Sequence, residues 1–185
     1  KIILIFLLFF NNLHASSFTL KKVINDLKRP WSLSFIDDTK LLITEKSGNI
    51  KLLNLKKNLV TDIKHNLNIL EDGQGGLLDI LYLNKIVFVS YSENRSNGMS
   101  STSVARANFS NENLNFKNIF RAEPPINSGY HFGSRLVSKD NYLFITVGER
   151  RQGMIAQDFT KHPGSIVRIN LDGSIPQNNP KFVNK

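Results

Sequence analysis

Cysteine is absent from all 185 residues, so neither a disulfide framework nor a thiolate metal site is open to this chain, and its fold must be held by its core. Acidic residues are the scarcer charge, 15 against 24 Lys and Arg, which leaves a formal net charge of +9. That excess could serve nucleic acid, a membrane surface or an anionic ligand. The basic residues are scattered (Lys21, Lys22, Lys28, Arg29, Lys56, Lys57, Arg150, Arg151) rather than gathered on one helix among aromatics, which argues against nucleic acid. Long apolar runs are lacking too. The longest, IILIFLLFF at residues 2–10, falls short of the roughly 20 residues that span a bilayer, so no integral membrane protein is expected. With Lys1 before it and Ala15-Ser16 after it, the run reads as a secretory signal peptide over residues 1–15, cleaved after Ala15; a buried first strand is the alternative. Export without cysteine suits a periplasmic protein, residues 16–185 forming the mature part.

Helical periodicity is the last absence, since no stretch of a dozen residues carries it. The chain after Ser16 is instead a series of short apolar or alternating runs between turn formers, which predicts an all-β protein: WSLSFI, KLLITEK and NIKLLNL; then GLLDILYL, IVFVSYSE, TSVARANF and LNFKNIF; then SRLVS, YLFITVGE and SIVRINLDG. The grammar repeats. WSLSFIDDTKLLITE and SRLVSKDNYLFITVGE share an inner strand, a polar turn and an apolar strand ending in Thr and Glu, and GLLDILYLNKIVFVSYSE fits between them. Starts at Trp31, Gly76 and Gly133 give a spacing of the order of the ~40 to 50 residues of a propeller blade. Three blades leave a ring open, because propellers have about four to eight, so the chain is expected to be the first part of a larger propeller. A sandwich or open β-domain is the structural alternative.

The chemistry-bearing residues are few. His14 lies in the leader, His65 in a Lys- and Asn-rich turn that suggests a solvated surface role, and His162 before Pro163-Gly164, where it would support a loop. His131, in SGYHFGSR, sits between Tyr130 and Phe132 with Gly129 and Gly133 two positions either side. The aromatics offer low-dielectric walls and the glycines a sharp bend and close approach, so His131 is either a packed loop residue or a base at the mouth of a pocket. Gln74, in EDGQGGLL, stands at the start of the second blade's inner strand, the phase that His131 has in the third. Corresponding positions of a propeller converge on one funnel, so the two could face one ligand; both could equally be turn residues. Residues 147–159, VGERRQGMIAQDF, form an irregular insertion in which Glu149 could orient His131. Arg150, Arg151, Gln157 and Asp158 could line a rim, the arginines being simply solvated in the alternative reading. No pair of histidines has the spacing of a zinc site.

Taken together, RPWSLSF with LLITEKSGNIKLL, GQGGLLDI, VSYSE, GYHFGSRLV, TVGER, AQD and GSIVRINLDGSIPQNNP resemble the soluble pyrroloquinoline-quinone (PQQ) dependent sugar dehydrogenases, the glucose/sorbosone or aldose sugar dehydrogenase family, from about Leu27 to Phe182. The resemblance implies a six-bladed β-propeller of which this chain holds about the first three blades. It implies PQQ and calcium as cofactors, an aldose oxidised at its anomeric carbon to a lactone, and a separate electron acceptor. By it His131 is the catalytic base, taking the proton of the anomeric hydroxyl while hydride passes to the quinone. Gln74 would lie beside quinone and sugar, and Glu149 would be the acidic group near the base. Tyr130 stands where some members carry an aspartate, and the turn between Leu83 and Ile86 is shorter than usual for the family. The residues that grip the quinone's carboxylates and much of the calcium shell would lie after Lys185, so the isolated chain is expected to be inactive. A non-catalytic propeller that binds a protein or glycan partner is the alternative function.

Overall fold

The computed structural model describes residues 18–181; the expected leader lies outside the described residues. Three antiparallel units follow one another along the chain. The first comprises β1 (Pro30–Asp37), β2 (Lys40–Glu45), β3 (Ile50–Asn54) and β4 (Leu59–His65), the second β5 (Leu77–Leu83), β6 (Ile86–Asn94) and β7 (Ser100–Asn108). After β8 (Asn113–Leu114), β9 (Lys117–Arg121) completes the second unit, and β10 (Gly133–Lys139), β11 (Tyr142–Val147) and β12 (Ile166–Asn170) make the third. The sheet orders are β1-β2-β3-β4-β8, β5-β6-β7-β9 and β10-β11-β12. The all-β expectation and the three-blade repeat therefore hold, with inner strands starting at Pro30, Leu77 and Gly133.

Two details differ from the sequence reading. β4, with few apolar residues in LVTDIKH, is not signalled by composition, yet it pairs with β3 from Leu59 to Ile63 and carries His65. That histidine is half-buried, its Nε2 2.6 Å from the Gly48 carbonyl and its ring edge-on to Phe116, so it is not a solvated turn residue. LNFKNIF, read as one strand, is split between sheets. Asn113 and Leu114 pair in parallel with Lys64 and His65 of the first blade, and Lys117–Arg121 returns to β7. Leu114 and Phe116 are buried in the seam between the blades, which fixes the crossover.

Burial follows blade position. In the middle blade β6 is buried at every residue except its two ends, because the other blades cover both its faces. β1 and β10 alternate, as strands with one covered face do. One core joins blades one and two (Leu42, Ile50, Ile63 with Leu77, Val87, Tyr91), another joins two and three (Phe88, Val104 with Leu136, Leu143, Ile145). Asp79 of β5 pins the inner strands together. Its carboxylate accepts from Ser32 Oγ of β1 at 2.5 Å, and from the Leu136 amide at 2.7 Å and Arg135 Nη1 at 2.9 Å on β10. With its inner strands held so, the turns leading into β5 and β10 lie side by side.

Candidate functional site

Those two turns interlock. The Gln74 amide donates to the Gly129 carbonyl at 2.6 Å, and the His131 amide donates to Gln74 Oε1 at 2.8 Å. Gly73 and Gly129 make the approach feasible: a Cβ on Gly73 would lie 2.4 Å from the Gly129 carbonyl oxygen, and one on Gly129 2.7 Å from Asp72 Oδ2. Gly73 also has φ +52°, where a side chain would be strained whatever the space. Lys46 Nζ closes the corner by donating to the Gly73 carbonyl.

His131 itself has φ +51°, a left-handed conformation uncommon for a non-glycine residue. Holding it there costs on the order of 1–3 kcal/mol, and such positions persist only where the surroundings over-determine them. Here they do. The next carbonyl, Phe132, accepts from Thr102 Oγ1 at 2.7 Å and from the Gly148 amide at 3.1 Å, while Gly148 packs so closely on the His131 carbonyl that it has no room for a Cβ.

The imidazole hangs from this rigid corner. Its Nδ1 is hydrogen-bonded to Glu149 Oε1, which also accepts the Arg151 amide at 3.2 Å. The His131 contact is the main reason that the Glu149 carboxyl lies below its ordinary range, with smaller help from the backbone amides. Glu149 is therefore ionised at neutral pH. A carboxylate at Nδ1 selects the tautomer with the proton there and leaves the Nε2 lone pair free. The side chain of His131 is 43% exposed, so Nε2 is within reach of a ligand.

The expected aromatic walls are only half present. Tyr130 stands edge-on to the imidazole, ring centres 6.4 Å apart, but Phe132 turns inward and is buried. The left-handed backbone at His131 breaks any regular alternation here, so Tyr130 and Phe132, two residues apart, part to opposite environments. Arg150, read as rim or solvated, is 2% exposed, with its guanidinium over the Phe132 ring. Arg151 does stay at the surface, stacked 3.6 Å from the centre of the Tyr130 ring. Asp158 is engaged in a local turn: its carboxylate accepts from Thr160 Oγ1 at 2.6 Å, the Thr160 amide at 3.0 Å and Lys161 Nζ at 2.9 Å beside the short 3-10 helix Gly153–Gln157, which contains Gln157. His162 supports a loop as expected, its Nδ1 accepting the Glu123 amide at 2.9 Å.

Gln74, His131 and Glu149 thus form one continuous polar corner, with Arg151 beside it. The sequence model of the family described as Glucose / Sorbosone dehydrogenase matches residues 27–185. The chain belongs to that family. Among its relatives, the aldose sugar dehydrogenase of Escherichia coli (strain K12) is 35% identical over 170 residues, covering 86% of this chain and 46% of the relative. A solved glucose dehydrogenase superposes with a TM-score of 0.83 at 35% identity, covering 88% of this chain and 50% of that one. The PQQ-bound aldose sugar dehydrogenase of Streptomyces coelicolor, at 22% identity and a TM-score of 0.76 over 88% of this chain and 50% of its own, shares the fold. The chain spans about half the length of the family members it matches.

Sequence reasoning missed two residues that build this corner. Asp79 looked like an ordinary strand residue, although its place within the repeat, at the centre of the inner strands, is a usable signal. The burial of Arg150 had no local signal, because Ser100 and Ser128, which it contacts, lie far from it in the chain.

Proposed function

We propose that the whole protein is a PQQ-dependent dehydrogenase that oxidises aldose sugars at the anomeric carbon to lactones, with His131 as the general base. The observation that carries this reading is the His131 imidazole tied at Nδ1 to an ionised Glu149, with Nε2 left open on a corner fixed by Gln74. Nε2 takes the proton of the anomeric hydroxyl as the C1–H pair departs as hydride and C1 becomes the carbonyl carbon of the lactone. The imidazolium so formed is stabilised by Glu149. Gln74 orients the His131 backbone, and its Nε2 is left to donate to a ligand.

The exposed donors suit a flat polyanionic quinone: Gln74 Nε2, and the Arg151 guanidinium, which no carboxylate contacts among the described residues. Those two residues would hold it. When bound, PQQ supplies the two-electron acceptor that no side chain here can be. Calcium enters through the family resemblance alone, since among the described residues no three His, Cys, Asp or Glu are placed to hold a metal ion. Export to the periplasm and a separate electron acceptor belong to the same proposal. No helix among the described residues is long and apolar enough to cross a membrane.

The test uses the full-length protein with added PQQ and calcium, following aldose-dependent dye reduction. His131→Asn is the informative variant beside His131→Ala, because asparagine tolerates the left-handed backbone at this position. Quinone-dependent turnover that drops by about 10²-fold or more in both variants, with the fold retained, is the expected result. A wild-type protein that neither binds the quinone nor turns over any aldose overturns the dehydrogenase reading in favour of a binding propeller.

A further inference from the structure

Arg150 lies beneath the polar corner, and its surroundings are unusual for an arginine. Four of its five N–H donors are used within the structure. Nε donates to the Tyr130 carbonyl at 2.9 Å, Nη1 to the Ser100 carbonyl at 3.1 Å, and Nη2 to Ser100 Oγ at 2.8 Å and to the Ser128 carbonyl. The guanidinium carbon sits 3.6 Å from the centre of the Phe132 ring. Its partners thus include residues 128, 130 and 132, alternate positions of the segment that presents His131.

No carboxylate contacts Arg150 among the described residues. Burial lowers it to about 10, Asp72 opposing weakly, so it remains charged at neutral pH. A buried charge held only by neutral acceptors is a poor device for stability alone, where an apolar side chain of similar volume often does as well. The backbone adds a second peculiarity. Arg150 and Arg151 have φ +56° and +58° in a turn closed by the Gln152 amide on the Glu149 carbonyl at 3.0 Å, where glycine or asparagine is the usual choice. That left-handed pair directs Arg150 inward to the underside of the His131 segment and Arg151 outward over Tyr130, while Glu149, immediately before them, meets Nδ1.

We propose that Arg150 is the positioning residue of the base: its guanidinium fork grips the carbonyls of Ser128 and Tyr130 and so couples the segment that carries His131 to the turn that carries Glu149. Both halves of the His131–Glu149 pair then depend on one side chain that touches neither the imidazole nor the Glu149 carboxylate. This rests on His131 being the base, and a lysine cannot replace the fork because it has a single donor nitrogen.

The test compares full-length wild type with Arg150→Lys, Arg150→Met and His131→Asn. Amide hydrogen exchange of residues 129–132 is measured without cofactor. PQQ affinity, kcat, KM and the C1-deuterium isotope effect are measured with it. Both Arg150 variants are expected to speed exchange in this segment about tenfold or more, while the 55–58 turn of the first blade is unchanged. They lower kcat by about ten- to a hundredfold with PQQ affinity within about threefold, and they enlarge the isotope effect, because a misplaced base slows the chemical step. A purely structural role lowers the melting temperature but leaves kcat within twofold and the isotope effect unchanged well below it, and that result overturns the proposal. Should neither variant fold, Ser100→Ala, which removes the hydroxyl that accepts from Nη2 and makes only a long 3.5 Å contact to the Ile126 carbonyl besides, is expected to move exchange and kcat in the same directions by about threefold, and no change in either overturns the proposal. Full activity in His131→Asn would instead overturn the base assignment.

Discussion

At the scale of single residues, the site depends on groups whose partners fix their charge. Glu93 shows the rule in the middle blade. Burial alone would raise its carboxyl, but Arg121 Nε at 2.7 Å and Ser103 Oγ at 2.7 Å outweigh burial and hold it below its ordinary value of 4.5. Its neighbour Tyr91 is pushed up to about 12, first by burial and then by the Glu93 charge. A carboxyl whose folded pKa is depressed contributes stability that is present above its unfolded value and lost as pH falls through the folded one. Stability is thus expected to decline from about pH 5 downward, and Glu93→Gln to be destabilised at neutral pH with a flatter acid limb. Urea midpoints taken across the acid range check this; an unchanged limb would place the acid sensitivity elsewhere. His131 illustrates what could be read from sequence at this scale. Its glycine and aromatic neighbours marked it, but only the distant Gln74 and Glu149 contacts define its tautomer and tether.

At the scale of elements, alternation and turn chemistry made most strands legible, and β4 was missed because LVTDIKH buries only Ile63 fully and shows no regular alternation. The inner strands carry the site by their relative placement, which Asp79 sets. Replacing it with alanine leaves the Leu136 amide and the Ser32 hydroxyl without their acceptor in a buried seam. A loss of about 2–4 kcal/mol is expected, with Asp79→Asn costing less because it keeps one acceptor oxygen. Denaturant unfolding measures the cost. Equal stability of wild type and Asp79→Ala would show that apolar packing alone aligns the blades.

At the scale of the whole molecule, the two end blades keep apolar faces uncovered. Trp31, Leu33 and Phe35 of the first blade line, with Ile24, Leu27 and Leu53, a groove of about 620 Å³, and Val137 and Ile166 stand exposed on the third. These are faces that a further blade would cover, as the outer blades here cover both sides of β6. The 185-residue chain by itself is therefore expected to bind a hydrophobic dye such as ANS and to associate as its concentration rises, with Leu33→Asp and Val137→Asp reducing both. Sedimentation velocity and dye fluorescence decide it; a monodisperse, dye-free chain would show that the faces are tolerated in water. What the sequence by itself determined was the all-β class and the blade period, and it singled out Gln74, His131 and Glu149 as candidates, because alternation, turn formers and glycines act over a few neighbouring residues. Only the tertiary structure decided that Arg150 is buried, that Asp79 joins three strands and that residues 113–121 serve two blades. Each depends on contacts between residues far apart in the chain, and a local pattern carries no term for those.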